Sequence, residues 1–278
     1  MTEYLDLDGG RIAYEVTGEG PLIVLAPGLG NLRSAFRFLA PDLVAAGYRV
    51  AVTDLRGHGE SSTGWASYTR TDTANDLIAL IRQLGGPAVI VGHSFAGGAA
   101  TIVAAQAPEL VTAIVEIDPG TRTGKMDFGA IMQNGRHRTA VLRLLGTGLF
   151  ASSWMWLRYL DHAYPGARPA DYTEQMSALR ANLREPGRMR ATQKMLMNQA
   201  KDADAQLGRI KCPALVIMGE LDPDWPDAAT EAQAIVAAMP AGLGTTAVID
   251  GAGHYPHAQF PDQVAAVLLP FLAEHARA

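Results

Sequence analysis

Ala88-Val89-Ile90-Val91-Gly92-His93-Ser94-Phe95-Ala96-Gly97-Gly98 is the stretch from which the rest of the chain can be read. Its first half is short, uncharged and rich in β-branched residues, the composition of a strand buried on both faces. Its second half is small and suited to a helix, and a serine stands at the junction. A serine there lies on a sharp strand-to-helix turn, where strand and helix nearly touch and the neighbouring residues must be small. The turn lifts the hydroxyl out at the carboxyl edge of a sheet, over a helix amino terminus. A glycine-rich turn with an incidental serine would look the same in isolation, so the rest of the chain has to decide.

Outward from this stretch, the same alternation repeats. Leu22–Ala26, Arg49–Asp54, Ala113–Asp118, Ala214–Gly219 and Thr245–Asp250 are further buried-type runs bounded by turn residues. Helical patterns separate them at roughly 32–46, 71–84, 95–106, 228–239 and 259–275. In one of these, Leu77, Leu80, Ile81 and Leu84 share a face. Strands alternating with helices imply a mostly parallel sheet covered on both sides. Two alternating runs around Asp8-Gly9-Gly10 suggest an antiparallel hairpin, giving an α/β fold of eight strands. Residues 121–206 break the pattern: no strand-like run occurs, and seven of the ten methionines lie between Met126 and Met197. That segment carries a net charge of +6, against −11 for the remainder. It is expected to be a helical layer over the sheet, docked chiefly by apolar packing. The core is then 1–120 and 207–278. The methionines are either ordinary helix packing or an adaptable ceiling over a pocket.

Composition removes several classes of function. At 278 residues, 48% apolar and 18% charged, the chain has ample material for a core. A net charge of −5 offers no global basic field for a phosphate backbone, so no nucleic-acid partner is expected. Cys212 is the single cysteine, which excludes an internal disulfide and a cysteine zinc cluster. No apolar run approaches a membrane span, and the acidic start MTEYLDLDGG is unlike a signal peptide. A cytoplasmic protein with no membrane partner is expected. A homo-oligomer stays open.

A serine hydroxyl is a weak nucleophile at neutral pH and needs a base, which itself needs a group to fix its tautomer. His254 follows the last strand-like run, in Gly251-Ala252-Gly253-His254, and Asp222 follows the one before it, in Gly219-Glu220-Leu221-Asp222. If the strands are parallel, both emerge at the sheet edge that carries Ser94. The order Ser…Asp…His is the one used with this type of serine turn. Asp224 and Asp118 are the competing acids, the first two residues beyond Asp222 and the second at the end of an earlier strand. His93 is expected to point away from the pocket, and His257, His137, His162 and His275 to lie at the surface. Trp225 and Tyr255 flank acid and base and are candidates to line a substrate pocket. No metal-ligand spacing and no phosphate-binding glycine loop is present, so neither a metal nor a cofactor is expected.

Together, GHSFAGG, the loop Asp54-Leu55-Arg56-Gly57-His58-Gly59-Glu60-Ser61, GELD and GAGH resemble the α/β-hydrolase superfamily, in particular its serine esterase-like members with a helical cap. The resemblance covers nearly the whole chain. It implies an eight-stranded, mostly parallel sheet with helices on both faces and a cap after the strand ending at Asp118. It implies an oxyanion hole from the backbone N–H groups of Leu29 and Phe95. It assigns His58 to a structural turn. Two departures stand out: Ala96 replaces the usual glycine after the serine, and Pro27 replaces a histidine that often braces the oxyanion loop. The implied activity is hydrolysis of a small or medium apolar ester, lactone or thioester through an acyl-enzyme on Ser94. The same triad layout also serves C–C bond hydrolysis, peracid formation and lyase chemistry in relatives. Relatives resembling haloalkane dehalogenases and epoxide hydrolases carry aspartate at the Ser94 position, which disfavours those reactions. A ligand-binding role without turnover is the reading from another class, and turnover of p-nitrophenyl esters separates it from the enzyme.

Overall fold

The structure is a computed structural model that describes residues 1–123 and 128–276. The two amino-terminal runs form an antiparallel hairpin, β1 (Glu3–Leu7) and β2 (Gly10–Thr17). The six apolar runs form β3 (Leu22–Ala26), β4 (Arg49–Thr53), β5 (Ala88–His93), β6 (Val111–Ile117), β7 (Ala214–Gly219) and β8 (Gly244–Ile249). All eight join one sheet in the order β1-β2-β4-β3-β5-β6-β7-β8, parallel from β4 to β8. Every residue of β3, β5 and β7 is buried, which is why these strands read as unbroken apolar runs.

Alternation along the strands divides the interior in two. Val24, Ile90, Ile114 and Val216 face α2 (Arg70–Leu84), α3 (Phe95–Gln106) and α10 (Ala228–Ala237). Ile23, Val89, Val115 and Leu215 face α1 (Leu39–Ala45) and α12 (Pro261–His275). The boundaries of α2 are written in its sequence. Thr69 and Asp72 exchange hydrogen bonds in a capping box, and Gly85 ends the helix at φ 77°. Full burial of a side chain such as Leu77 or Leu80 contributes roughly 1.5–3 kcal/mol.

Between β6 and β7 the described residues contain no strand. They form α4 (Phe128–Gln133), α5 (Gly135–Phe150), α6 (Ser153–His162), α7 (Tyr172–Arg184), α8 (Arg188–Leu196) and α9 (Lys201–Asp204). Leu179 and Leu183 of α7 are buried. Met195 is fully buried while Met132 and Met197 are largely exposed, so the methionine-rich segment divides between core and surface. Met126 lies outside the described residues. The charge contrast between this layer and the rest is little used at their contact. Arg122 pairs with Glu231 in the expected sense, but Arg37 pairs with Asp171 in the opposite one. Partly exposed pairs of this kind contribute about 0–1 kcal/mol, so apolar packing dominates. Among the described residues no helix is long and apolar enough to cross a membrane.

Candidate active site

Ser94 sits between β5 and α3 at φ 52° and ψ −115°, a conformation non-glycine residues seldom adopt. Its N–H donates to the Ile117 carbonyl at 2.8 Å, and its own carbonyl accepts from Gly97 and Gly120 at 3.0 Å each. The small neighbours are required by contact. A Cβ on Gly92 would run into the Ala96 carbonyl, and one on Gly97 would come within 2.7 Å of Pro119. Ala96 is fully buried at this junction, so its methyl is accommodated. A serine held at positive φ stores on the order of 1–3 kcal/mol of strain. Ser94→Gly is therefore expected to stabilise the fold by roughly 1 kcal/mol in a urea melt, after the extra chain entropy of glycine is subtracted. A lower midpoint would mean that the turn is not strained.

The loops after β7 and β8 bring Asp222 and His254 together. Asp222 is fully buried, and its Oδ2 lies 3.0 Å from His254 Nδ1. Asp222 Oδ1 accepts the Asp224 N–H at 2.9 Å, which fixes the carboxylate plane. Asp224 is the more distant acid, with Oδ2 3.8 Å from His254 Nδ1, and its Oδ1 accepts the Tyr159 hydroxyl at 2.7 Å. Burial alone would lower His254, but the Asp222 and Asp224 carboxylates outweigh it and raise the imidazole to about 10. Burial raises Asp224 to about 6, against the pull of His254. Ser94 follows His93, whose ring centroid lies 4.9 Å from that of His254.

His93 is not in a pocket lining that the structure describes, but it ties together two loops of the site. Its ring is buried, with Nδ1 accepting the Gly28 N–H at 3.2 Å and Nε2 donating to the His254 carbonyl at 2.7 Å. Those partners define the tautomer, and burial holds the ring neutral by pushing its pKa well below the usual value. His58 plays the matching part on the other side of the loop. Its Nδ1 donates to the Arg56 carbonyl at 2.9 Å and its Nε2 accepts the Gly30 N–H at 2.8 Å. The Pro27 loop is thus braced by two histidines, His93 at the end of β5 and His58 in the loop after β4. The amides of Gly28 and Gly30 are taken, while between them the Leu29 N–H, like that of Phe95, has no protein acceptor among the described residues.

A roof covers the site from α6. Trp156 donates its indole N–H to the Gly30 carbonyl at 3.0 Å, and its ring lies against the face of Gly30 where a Cβ would be. Tyr159 stacks on Trp156 at 5.1 Å and presents its edge to His254 at 6.3 Å. Just past α6, the Ala163 carbonyl accepts the His254 N–H at 3.0 Å. Tyr255 is buried, edge-on to His254 at 5.3 Å and stacked on Tyr164 at 4.7 Å. Trp225 is only half-buried and packs against the larger apolar cluster. A groove of about 880 Å³ beside α1 and α7, lined by Phe36, Val44, Val52 and Ala181 among others, contains none of Ser94, Asp222 or His254.

His257 is a correction. It is fully buried, stacked on Phe36 at 4.8 Å, rather than at the surface. Burial holds His257 down at about 3 and His58 at about 4. The unfolded chain protonates these rings near 6.5. Their contribution to stability is fully present above about 6.5 and is lost as pH falls through the folded values. Glu116, buried and accepting from Thr101 and Thr121, has the opposite sign. Burial raises it to about 7, so its contribution is present below its unfolded value and is lost as pH rises through about 7. Glu116→Gln is expected to raise the urea midpoint at pH 8 and leave it unchanged at pH 4. A lower midpoint at pH 8 would show that the fold needs the charged carboxylate.

The sequence signals for these extra residues were weak. His93 and His58 each sit in a recognisable motif, but their partners come from loops far away in sequence. Trp156, Tyr159 and Ala163 carry no motif at all.

Among known proteins, the model of the alpha/beta hydrolase family matches residues 23–267. The 2-(acetamidomethylene)succinate hydrolase of Mesorhizobium japonicum is 34% identical over 170 residues, 59% of this chain and 57% of that protein. The chain spans about half the length of the curated relatives it matches. A thermophilic esterase from Thermogutta terrifontis aligns with a TM-score of 0.76 and 22% identity over 99% of both chains. The enol-lactonase of Burkholderia xenovorans aligns with a TM-score of 0.77 and 21% identity, over 98% of this chain and 100% of that one. At these identities the two structures establish a shared fold.

Proposed function

Because the chain belongs to the alpha/beta hydrolase family, we propose that it is a serine hydrolase acting on a small or medium apolar ester, lactone or thioester. The observation that carries this reading is the strained Ser94 turn at the head of α3, next in the chain to His93, whose ring lies 4.9 Å from that of His254, itself 3.0 Å from Asp222 Oδ2 through Nδ1. In the reaction, Ser94 Oγ attacks the acyl carbonyl while the neutral form of His254 takes its proton. Asp222 holds the imidazole in the Nδ1–H tautomer and stabilises the imidazolium. The Leu29 and Phe95 amides receive the oxyanion, each worth roughly 3 kcal/mol in the transition state. His254 then gives its proton to the leaving group, and water releases the acid by the reverse sequence. Trp156, Tyr159 and Tyr255 give the site apolar walls, which supports an apolar acyl or alkyl group. The partner is a small molecule. A free, buried Cys212 suits a reducing compartment such as the cytoplasm.

The test is a chain-length series of p-nitrophenyl esters run beside a fluorophosphonate probe. Turnover of short or medium esters with labelling of Ser94 supports the reading. Labelling without turnover of any ester would move the reaction to another bond type. Neither labelling nor turnover would remove the nucleophile assignment.

A further inference from the structure

The end of β6 brings into the His254 site a carboxyl that the steps above do not use. Asp118 is buried and stands at φ 42°. Its N–H donates to the Ile217 carbonyl at 2.8 Å, and its Oδ1 accepts the Gly219 N–H at 2.8 Å. The side chain is therefore pinned to the end of β7. Its second oxygen, Oδ2, is buried and has no donor among the described residues. One oxygen of Asp118, one oxygen of Asp222 and a ring nitrogen of His254 lie within 4.8 Å of one another.

A carboxylate oxygen buried without a donor is costly, and a second negative charge beside Asp222 is costlier. The protonated acid removes both problems. Its O–H becomes a donor, and the nearby acceptor with a negative charge is Asp222. Burial first, and the Asp222 charge second, push the Asp118 carboxyl well above the carboxylate range, while His254 and the Gly219 N–H oppose them.

We propose that Asp118 is a positioning residue that keeps its proton throughout the reaction and donates it as a hydrogen bond to Asp222, holding that carboxylate on His254 Nδ1 and limiting the pair to one negative charge. This rests on the reading of Ser94, His254 and Asp222 as a working triad. No proton passes through Asp118: the Ser94 proton goes to His254 and on to the leaving group. A second full charge here would add to the pull of Asp222 and Asp224 on the His254 proton and make the neutral base rarer still. The other groups facing His254 are Asp224, Tyr159, Tyr255 and His93.

Two substitutions and two readouts test this. Asp118→Asn keeps the size, tolerates positive φ and retains an N–H donor. Asp118→Gly removes the donor and suits φ 42° better than any other residue. The readouts are p-nitrophenyl butyrate kinetics and the NMR titration of the His254 ring, with Asp224→Asn as the control that lowers its midpoint by removing a charge. For Asp118→Asn, kcat should stay within about threefold, and the His254 midpoint should match wild type. For Asp118→Gly, kcat should fall about tenfold or more with KM nearly unchanged. A His254 midpoint about one unit lower in Asp118→Asn would overturn the proposal, because it would mean that the wild-type residue is charged. Wild-type kcat in a folded Asp118→Gly would overturn it as well. Should the wild-type protein turn over no ester, the triad reading fails by itself, while the NMR midpoint still decides the charge of Asp118. Should Asp118→Gly fail to fold, Asp118→Asn alone decides.

Discussion

Ser94→Ala is expected to lower kcat/KM for any p-nitrophenyl ester the protein accepts by at least about three orders of magnitude. The loss is large because the nucleophile, base and acid act as a unit, and His254 and Asp222 have nothing to activate once Oγ is gone. The fold should be nearly indifferent. Ser94 is held by its backbone through Ile117, Gly97 and Gly120, so the unfolding free energy should change by less than about 1 kcal/mol. Steady-state kinetics beside a urea melt check both halves. Activity within about threefold of wild type would remove Ser94 from the chemistry.

The second large effect belongs to the acid. In Asp222→Asn the amide no longer offers a charged acceptor to His254 Nδ1, so the ring loses its tautomer and the imidazolium its counter-ion. A fall of about 10³- to 10⁴-fold in kcat is expected. Asp224→Asn should stay within about tenfold, because Asp224 lies 3.8 Å from Nδ1 and its Oδ1 accepts the Tyr159 hydroxyl. It should also move the acidic limb of the pH–rate profile downward. His254 must be neutral to act, and removing a carboxylate lowers the pH at which it becomes so. Parallel pH–rate profiles of the two variants decide the matter. A crippled Asp224→Asn beside an active Asp222→Asn would reverse the assignment.

The strands from β3 to β7 were legible because each is a largely buried apolar run that stops at a turn residue, and the amino-terminal hairpin because Asp8-Gly9-Gly10 separates two alternating runs; β8 corrects the expectation of burial, since it is the edge strand and only its Ile249 is buried. Ser94, Asp222 and His254 were legible for a related reason: each follows a strand, and parallel strands deliver their carboxyl ends to one edge. What stayed hidden depends on how separate loops fold over that edge. Strand alternation does send the His93 side chain to the face opposite Ile90, but the loop carrying His254 folds across that face and meets it. No motif around His257 sets it inside, yet the Phe36 ring covers it. The helical character of residues 128–204 could be read from the absence of strand-like runs. Which side chains it lowers onto the site could not, since the rotation of α6 is set by Trp156 fitting against Gly30. The clearest warning in the sequence was Pro27, where the family often has a histidine. Its bracing role is divided here between His58 and His93, neither of which is adjacent in the chain.

The contact between the Ala163 carbonyl and the His254 N–H matters to anyone building chimeras of this protein. A swap drawn where the chain leaves and rejoins the sheet, near residues 121 and 206, would treat everything between as an exchangeable module. Yet the backbone of His254 is anchored at its carbonyl by the core, through His93, and at its amide by that module. A donor segment with another path through Ala163-Tyr164-Pro165 would therefore shift His254 along with the side chains the swap was chosen to change. The stretch 156–171 belongs with the scaffold, and 128–155 and 172–200 would have to be exchanged together, because Gln193 Nε2 of α8 donates to the Gly148 carbonyl of α5 at 2.6 Å.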